Sequence, residues 1–122
     1  MIERYSRKKI REIWEDFNKY SIWLDIELAA AEAMEKYKII PKGVVKKVKS
    51  KAKINVKRIL QIEDKVKHDV IAFLTSITEK AGKEARYLHK GMTASDVLDT
   101  CFNLQLKQSG EIILNDIGEL LQ

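Results

Sequence analysis

Apolar residues recur along this chain at three- and four-residue intervals, and no stretch sustains the alternation of a half-buried strand, so the pattern predicts an all-α protein. Ser6 is placed to cap a first short helix carrying Ile10, Ile13, Trp14 and Phe17 on one face. A second helix is expected from about Ser21, where Trp23, Ile26, Leu28 and an alanine-rich run to Met34 combine helix propensity with small side chains for close packing. It ends between Tyr37 and Pro41, and Pro41 suits the first turn of a third helix that carries Val44, Val45 and Val48 among lysines. Asn55 reads as the next N-cap, leading Val56, Ile59, Leu60 and Ile62. A break falls at His68-Asp69. Val70, Ile71, Phe73, Leu74 and Ile77 then continue a buried helix that stops at Ala81-Gly82, and residues 83–94 form a connector.

The segment from Ser95 to Gln122 is apolar on more than one side. One stripe contains Leu98, Cys101, Phe102, Leu106, Ile113, Ile117 and Leu120, while Val97, Leu104, Leu114 and Leu121 lie off it. If helical throughout, the segment extends roughly 42 Å, longer than the preceding helices can cover. Such a helix needs several neighbours, so the expectation is that the natural polypeptide continues past Gln122 or that other chains cover it. Gly110 and Gly118 weaken it locally and mark places for a bend.

Composition narrows the class. With 122 residues, 45% hydrophobic and 34% charged, the chain is globular and amounts to one domain or part of one. There is no apolar run of membrane-spanning length, and Met1 to Tyr5 lack the apolar core of a signal peptide. Cys101 is the single cysteine, which excludes an internal disulfide and a cysteine metal cluster, and the spacing of His68 and His89 fits no zinc helix. A cytoplasmic protein fits best. The net charge of +5 hides an uneven distribution: Lys36 to Lys67 holds 12 Lys/Arg against Glu63 and Asp64. A basic block can mean nucleic acid, but lysines 42, 46, 47, 49, 51 and 53 point around most of a helix, and Tyr37 is the one aromatic there. Without a base-stacking platform, a solvated helical surface is the better account and nucleic acid is an unfavoured partner.

Two segments carry chemistry. Lys67-His68-Asp69-Val70 and His89-Lys90-Gly91-Met92-Thr93-Ala94-Ser95-Asp96 hold both histidines, and the second runs into the long helix pattern. Free backbone N–H groups and the helix dipole make such a start an anion site. The same residues, Thr93-x-x-Asp96, also spell a plain capping box, and on spacing the cap is the commoner outcome.

These segments, with Arg4-Tyr5-Ser6 and the continuation to Val97-Leu98-Asp99-Thr100, resemble the N-terminal part of the adenylosuccinate lyase family of the fumarase/aspartase superfamily, in order and over essentially the whole chain. The resemblance implies an all-α fold. A helical domain over residues 1–93 would lead, from 94 to 122, into the start of a central bundle of long helices that assembles as a homotetramer. It implies β-elimination of fumarate from adenylosuccinate, giving AMP, and from SAICAR, giving AICAR, with neither metal nor organic cofactor. Carried over by position, Arg4 and Tyr5 match a nucleotide-binding pair, and Lys67, His68 and Asp69 match a substrate-binding triplet in which His68 supports catalysis and Asp69 orients it or accepts from the nucleotide. Thr93 matches a carboxylate-binding hydroxyl, with His89 in the segment leading to it. Ala94 stands where the family commonly has Ser, leaving the backbone N–H of Ala94 and the hydroxyl of Ser95 in its place. The family's general-acid histidine and serine-bearing loop correspond to positions beyond Gln122. The competing readings are a stand-alone basic helical module that binds nucleic acid and a module that oligomerises through the last helix.

Overall fold

The computed structural model describes residues 2–122, and among them there are helices and no strands. After a 3₁₀ turn at Glu3–Tyr5 come α1 (Lys8–Ile13), α2 (Asp16–Lys36), α3 (Val44–Lys51), α4 (Val56–Val66) and α5 (Asp69–Ala81). A second 3₁₀ turn at Gly82–Tyr87 precedes α6 (Ala94–Leu120). Helices α4 and α5 pack as a hairpin, α3 lies against α2 and α5, and α2 runs beside α6. Residues 18, 19 and 27 of α2 meet residues 108, 101 and 89 in turn, so α2 and α6 are antiparallel.

The core is centred on Tyr20, Trp23 and Phe73. Trp23 meets the other two rings edge-on, at 5.2 Å from Tyr20 and 5.5 Å from Phe73, while Tyr20 and Phe73 stack at 6.0 Å. Edge-on pairs set each ring's positive rim against a negative face, a preference beyond area burial. Ile59, Val48, Ile77 and Val70 close around them, fully buried. Burial pushes the Tyr20 hydroxyl above its ordinary value, although the Lys19 ammonium lies 4.5 Å from the ring centroid and acts in the opposite sense.

Several sequence expectations meet the structure directly. Asn55 caps α4, its side chain accepting from the Arg58 N–H at 3.0 Å. Helix α5 ends at Ala81, followed by Gly82 at φ +79°. Lysines 42, 46, 47, 49, 51 and 53 are exposed, with Val44 and Val48 turned inward.

Other expectations are corrected. The first helix begins with Arg7, not Ser6, at its cap and without a side-chain cap bond, and Arg7 instead pairs with Asp116. The second helix starts at Asp16, five residues before Ser21, so Ile10, Ile13, Trp14 and Phe17 do not form one helical face and Phe17 is exposed. The break at Trp14-Glu15 persists because the Ile13 carbonyl accepts at 2.8 Å from both Asn18 and Gln105. Pro41 lies outside α3, which begins after Gly43 at φ +91°, and the Val45 N–H is met by Glu35 of α2 at 2.7 Å. On α6 the buried seam is Val97, Cys101 and Gln105. Val97, placed off the apolar stripe by the sequence pattern, is fully buried, while Phe102, Leu106, Ile113, Ile117 and Leu120 are exposed. The helix continues unbroken through Gly110 and Gly118.

Burial also pushes the Cys101 thiol above its ordinary value. Since the thiolate is the reactive form, iodoacetamide should modify the folded chain far more slowly than the unfolded one, read by intact mass. On the surface, Arg58 holds Glu79 at 2.6 and 3.0 Å and lowers its carboxyl below the ordinary 4.5. The stability this pair adds is present above that ordinary value and is lost as pH falls through the lower, folded one. Glu79→Gln should therefore lose less melting temperature than the native chain between about pH 5 and pH 3.

Candidate functional site

The predicted residues fall into three groups. The first is Arg4 and Tyr5 in the opening 3₁₀ turn, both exposed, with the Arg4 guanidinium 4.7 Å from the Tyr5 ring centroid.

The second lies between α4 and α5. Lys67 closes α4 in the left-handed region at φ +53°, its N–H donating to the Glu63 carbonyl at 2.7 Å and its ammonium to Asp64 at 2.7 Å. His68 follows in extended conformation as the N-cap of α5, its Nδ1 accepting from the Ile71 N–H at 3.4 Å. The Asp69 carboxylate accepts from the Val70 N–H at 2.7 Å and comes only to 3.6 Å from His68 Nδ1. That separation is too long for a good hydrogen bond, so Asp69 serves the helix start and does not lock the imidazole.

The third is the start of α6, where the capping box is realised: the Thr93 hydroxyl accepts from the Ser95 N–H at 3.3 Å, and the Asp96 carboxylate accepts from the Thr93 N–H at 2.8 Å. The plain reading of Thr93-x-x-Asp96 thus holds. Ala94 is the first helical residue, one of the turn's donors that the helix itself cannot satisfy. Ahead of it, Gly91 takes φ +72°, and His89 takes φ +60° in spite of its side chain. The Lys90 ammonium donates to the Ile39 carbonyl at 3.4 Å and ties this turn to the end of α2.

The residue that sequence reasoning missed is Glu27. It is fully buried on α2, and its carboxylate accepts from the His89 N–H at 2.6 Å and meets His89 Nδ1 at 2.7 Å. A glutamate in an amphipathic helix reads as surface. The available signal was its place between Ile26 and Leu28 in the most apolar part of α2.

Among the described residues no hydrogen bond or ion pair joins the three groups to one another. Arg7 pairs with Asp116, 23 positions along α6 from Thr93, or about 35 Å of helix. A surface hollow of about 850 Å³, lined by Glu32, Glu35, Lys38 and Ile40 among others, contains none of the predicted residues. It is wide open with mixed charge. Among the described residues no cluster of three or more His, Cys, Asp or Glu could hold a metal ion, and no helix is long and apolar enough to cross a membrane.

No protein-family model matches this chain. It is 47% identical to an adenylosuccinate lyase of Synechocystis sp. over all 122 residues. The chain is similar from end to end to adenylosuccinate lyase. It spans 28% of that lyase's length. In fold it is similar to the crystal structure of a fumarate lyase from Mesorhizobium sp. BNC1, with a TM-score of 0.80 and 23% identity, over 88% of this chain and 26% of that one. The helical architecture is thus similar to that of a segment of that fumarate lyase, and the three residue groups lie within the stretch matched to the adenylosuccinate lyase.

Replacing Thr93 by Ala removes the cap hydroxyl and should cost about 1 kcal/mol in denaturant unfolding. The retained bond from the Thr93 backbone to Asp96 should keep the loss well short of unfolding α6.

Proposed function

We propose that this chain forms part of an adenylosuccinate lyase and supplies substrate-binding residues for the β-elimination of fumarate from adenylosuccinate, giving AMP, and from SAICAR, giving AICAR. The observation that carries this reading is 47% identity along all 122 residues to an enzyme of that name. In this reaction a base takes the proton from the carbon beside a carboxylate. The electron pair left on that carbon forms the new C=C bond, and the C–N bond breaks. Its electrons go to the departing nitrogen, which an acid protonates. Charge building on the carboxylate needs donors fixed in advance. Thr93 and the Ala94 N–H at the start of α6 suit that charge, with the Ser95 hydroxyl beside them. Lys67 and His68 suit the anionic groups, and Arg4 the phosphate, as a guanidinium matches its oxygens in pairs.

Within one chain no hydrogen bond or ion pair joins the groups at Arg4, at Lys67 to Asp69 and at Thr93 among the described residues, so we infer that a complete site combines groups from different copies. The exposed face of α6, with Phe102, Leu106, Ile113, Leu114, Ile117 and Leu120, supports this inference, because an isolated helix does not keep such a face in water. Residues 1–93 would then be a helical domain and 94–122 the start of a shared bundle, in a cytoplasmic homotetramer.

The direct test replaces the matching segment of the Synechocystis lyase with residues 1–122. The chimera should assemble and cleave adenylosuccinate, whereas residues 1–122 by themselves should show no turnover. An assembled but inactive chimera would overturn the reading. In the active chimera, His68→Ala should lower turnover about 100-fold with helical content unchanged, and an unaltered rate would remove His68 from the site.

A further inference from the structure

We propose that Glu27 is the positioning residue for His89, fixing which ring nitrogen carries the proton and which one faces an anionic ligand. Glu27 is fully buried, and its two carboxylate oxygens are divided between two groups of one residue: the His89 N–H at 2.6 Å and His89 Nδ1 at 2.7 Å. An ionised carboxylate can only accept. The Nδ1 contact is therefore a hydrogen bond only with the proton on Nδ1. The backbone bond at the same time holds His89 in the left-handed region, φ +60°, at the entrance to the Gly91 turn. Nε2 is the nitrogen left over. It has no protein partner among the described residues, and the side chain is 23% exposed. An oxyanion that reaches Nε2 draws a second proton onto the ring there, and the carboxylate behind Nδ1 balances the positive charge. Second-layer carboxylates act on imidazoles in this way generally, setting tautomer and ring direction together.

The anion is a phosphate or a carboxylate group, and only its identity rests on the lyase reading. Glu27→Gln separates a positioning role from a merely structural one. The amide keeps one acceptor, which the His89 N–H claims, and turns an NH₂ donor toward Nδ1. The ring is then forced to accept there, and its proton moves to Nε2.

The experiment is ¹⁵N spectroscopy of the histidine rings in the full chain, titrated with inorganic phosphate and separately with fumarate. The native His89 should show a protonated Nδ1, and its Nε2 should respond to one of the two anions, which identifies the source. Native His89 protonated on Nε2 alone, or an Nε2 that answers neither anion, would overturn the proposal without any variant. In Glu27→Gln, Nδ1 should lose its proton and the anion should bind about tenfold more weakly, the scale of one charge-assisted hydrogen bond. A variant with lower thermal stability but native ring protonation and native affinity would make Glu27 structural only and sink the idea. In the active chimera, Glu27→Gln should raise KM about tenfold with kcat changed less. A chimera without turnover would end the lyase reading while leaving the ring-nitrogen outcomes to decide the role of Glu27.

Discussion

The antiparallel contact of α2 with α6 is the constraint on which the other elements depend. On and beside this line the Ile13 carbonyl at the end of α1 meets Gln105, the Lys19 carbonyl of α2 meets Cys101, and Glu27 of α2 meets His89 ahead of α6. The first fixes where α1 ends and α2 begins. The second sits beside the buried Tyr20 and Trp23, which receive Phe73 and with it the α4–α5 hairpin. The third aims the turn from which α6 starts.

Local chemistry was legible in the sequence and tertiary chemistry was not. The Asn55 cap, the Gly82 stop and the Thr93–Asp96 box each involve partners no more than four residues apart, so the residues that decide them sit side by side in the chain. The break at Trp14-Glu15 depends on Gln105, 92 residues from Ile13, and no local pattern announces it. The seam of α6 was misjudged for a related reason. Large apolar residues drew the stripe toward Phe102 and Leu106, whereas the space beside α2 takes Val97, Cys101 and a glutamine. The candidate site was legible as residue types at motif spacing. Its dispersal over three places was not, and Glu27 stayed hidden because a charged side chain is so seldom fully buried.

That dispersal changes what this fold is for. It does not close a pocket around its polar groups. It fixes each group on a rigid element and leaves the spaces between them open, while one face of α6 stays apolar in water. Under the proposed lyase reading, further surface added to this scaffold would bring it both stability and chemistry.

Lys67 and His89 share one backbone property. Both occupy the left-handed region, where an L-residue with a side chain carries a steric penalty of about 1–2 kcal/mol. Glycine would relieve it at either position, and just after a helix end, where Lys67 stands, glycine is the residue most often found. The chain instead keeps an ammonium and an imidazole there. Each backbone is locked by a short hydrogen bond, from the Lys67 N–H to Glu63 and from the His89 N–H to Glu27. The fold therefore stores conformational strain beneath two of its candidate functional groups, as it does at Lys38 with φ +60°.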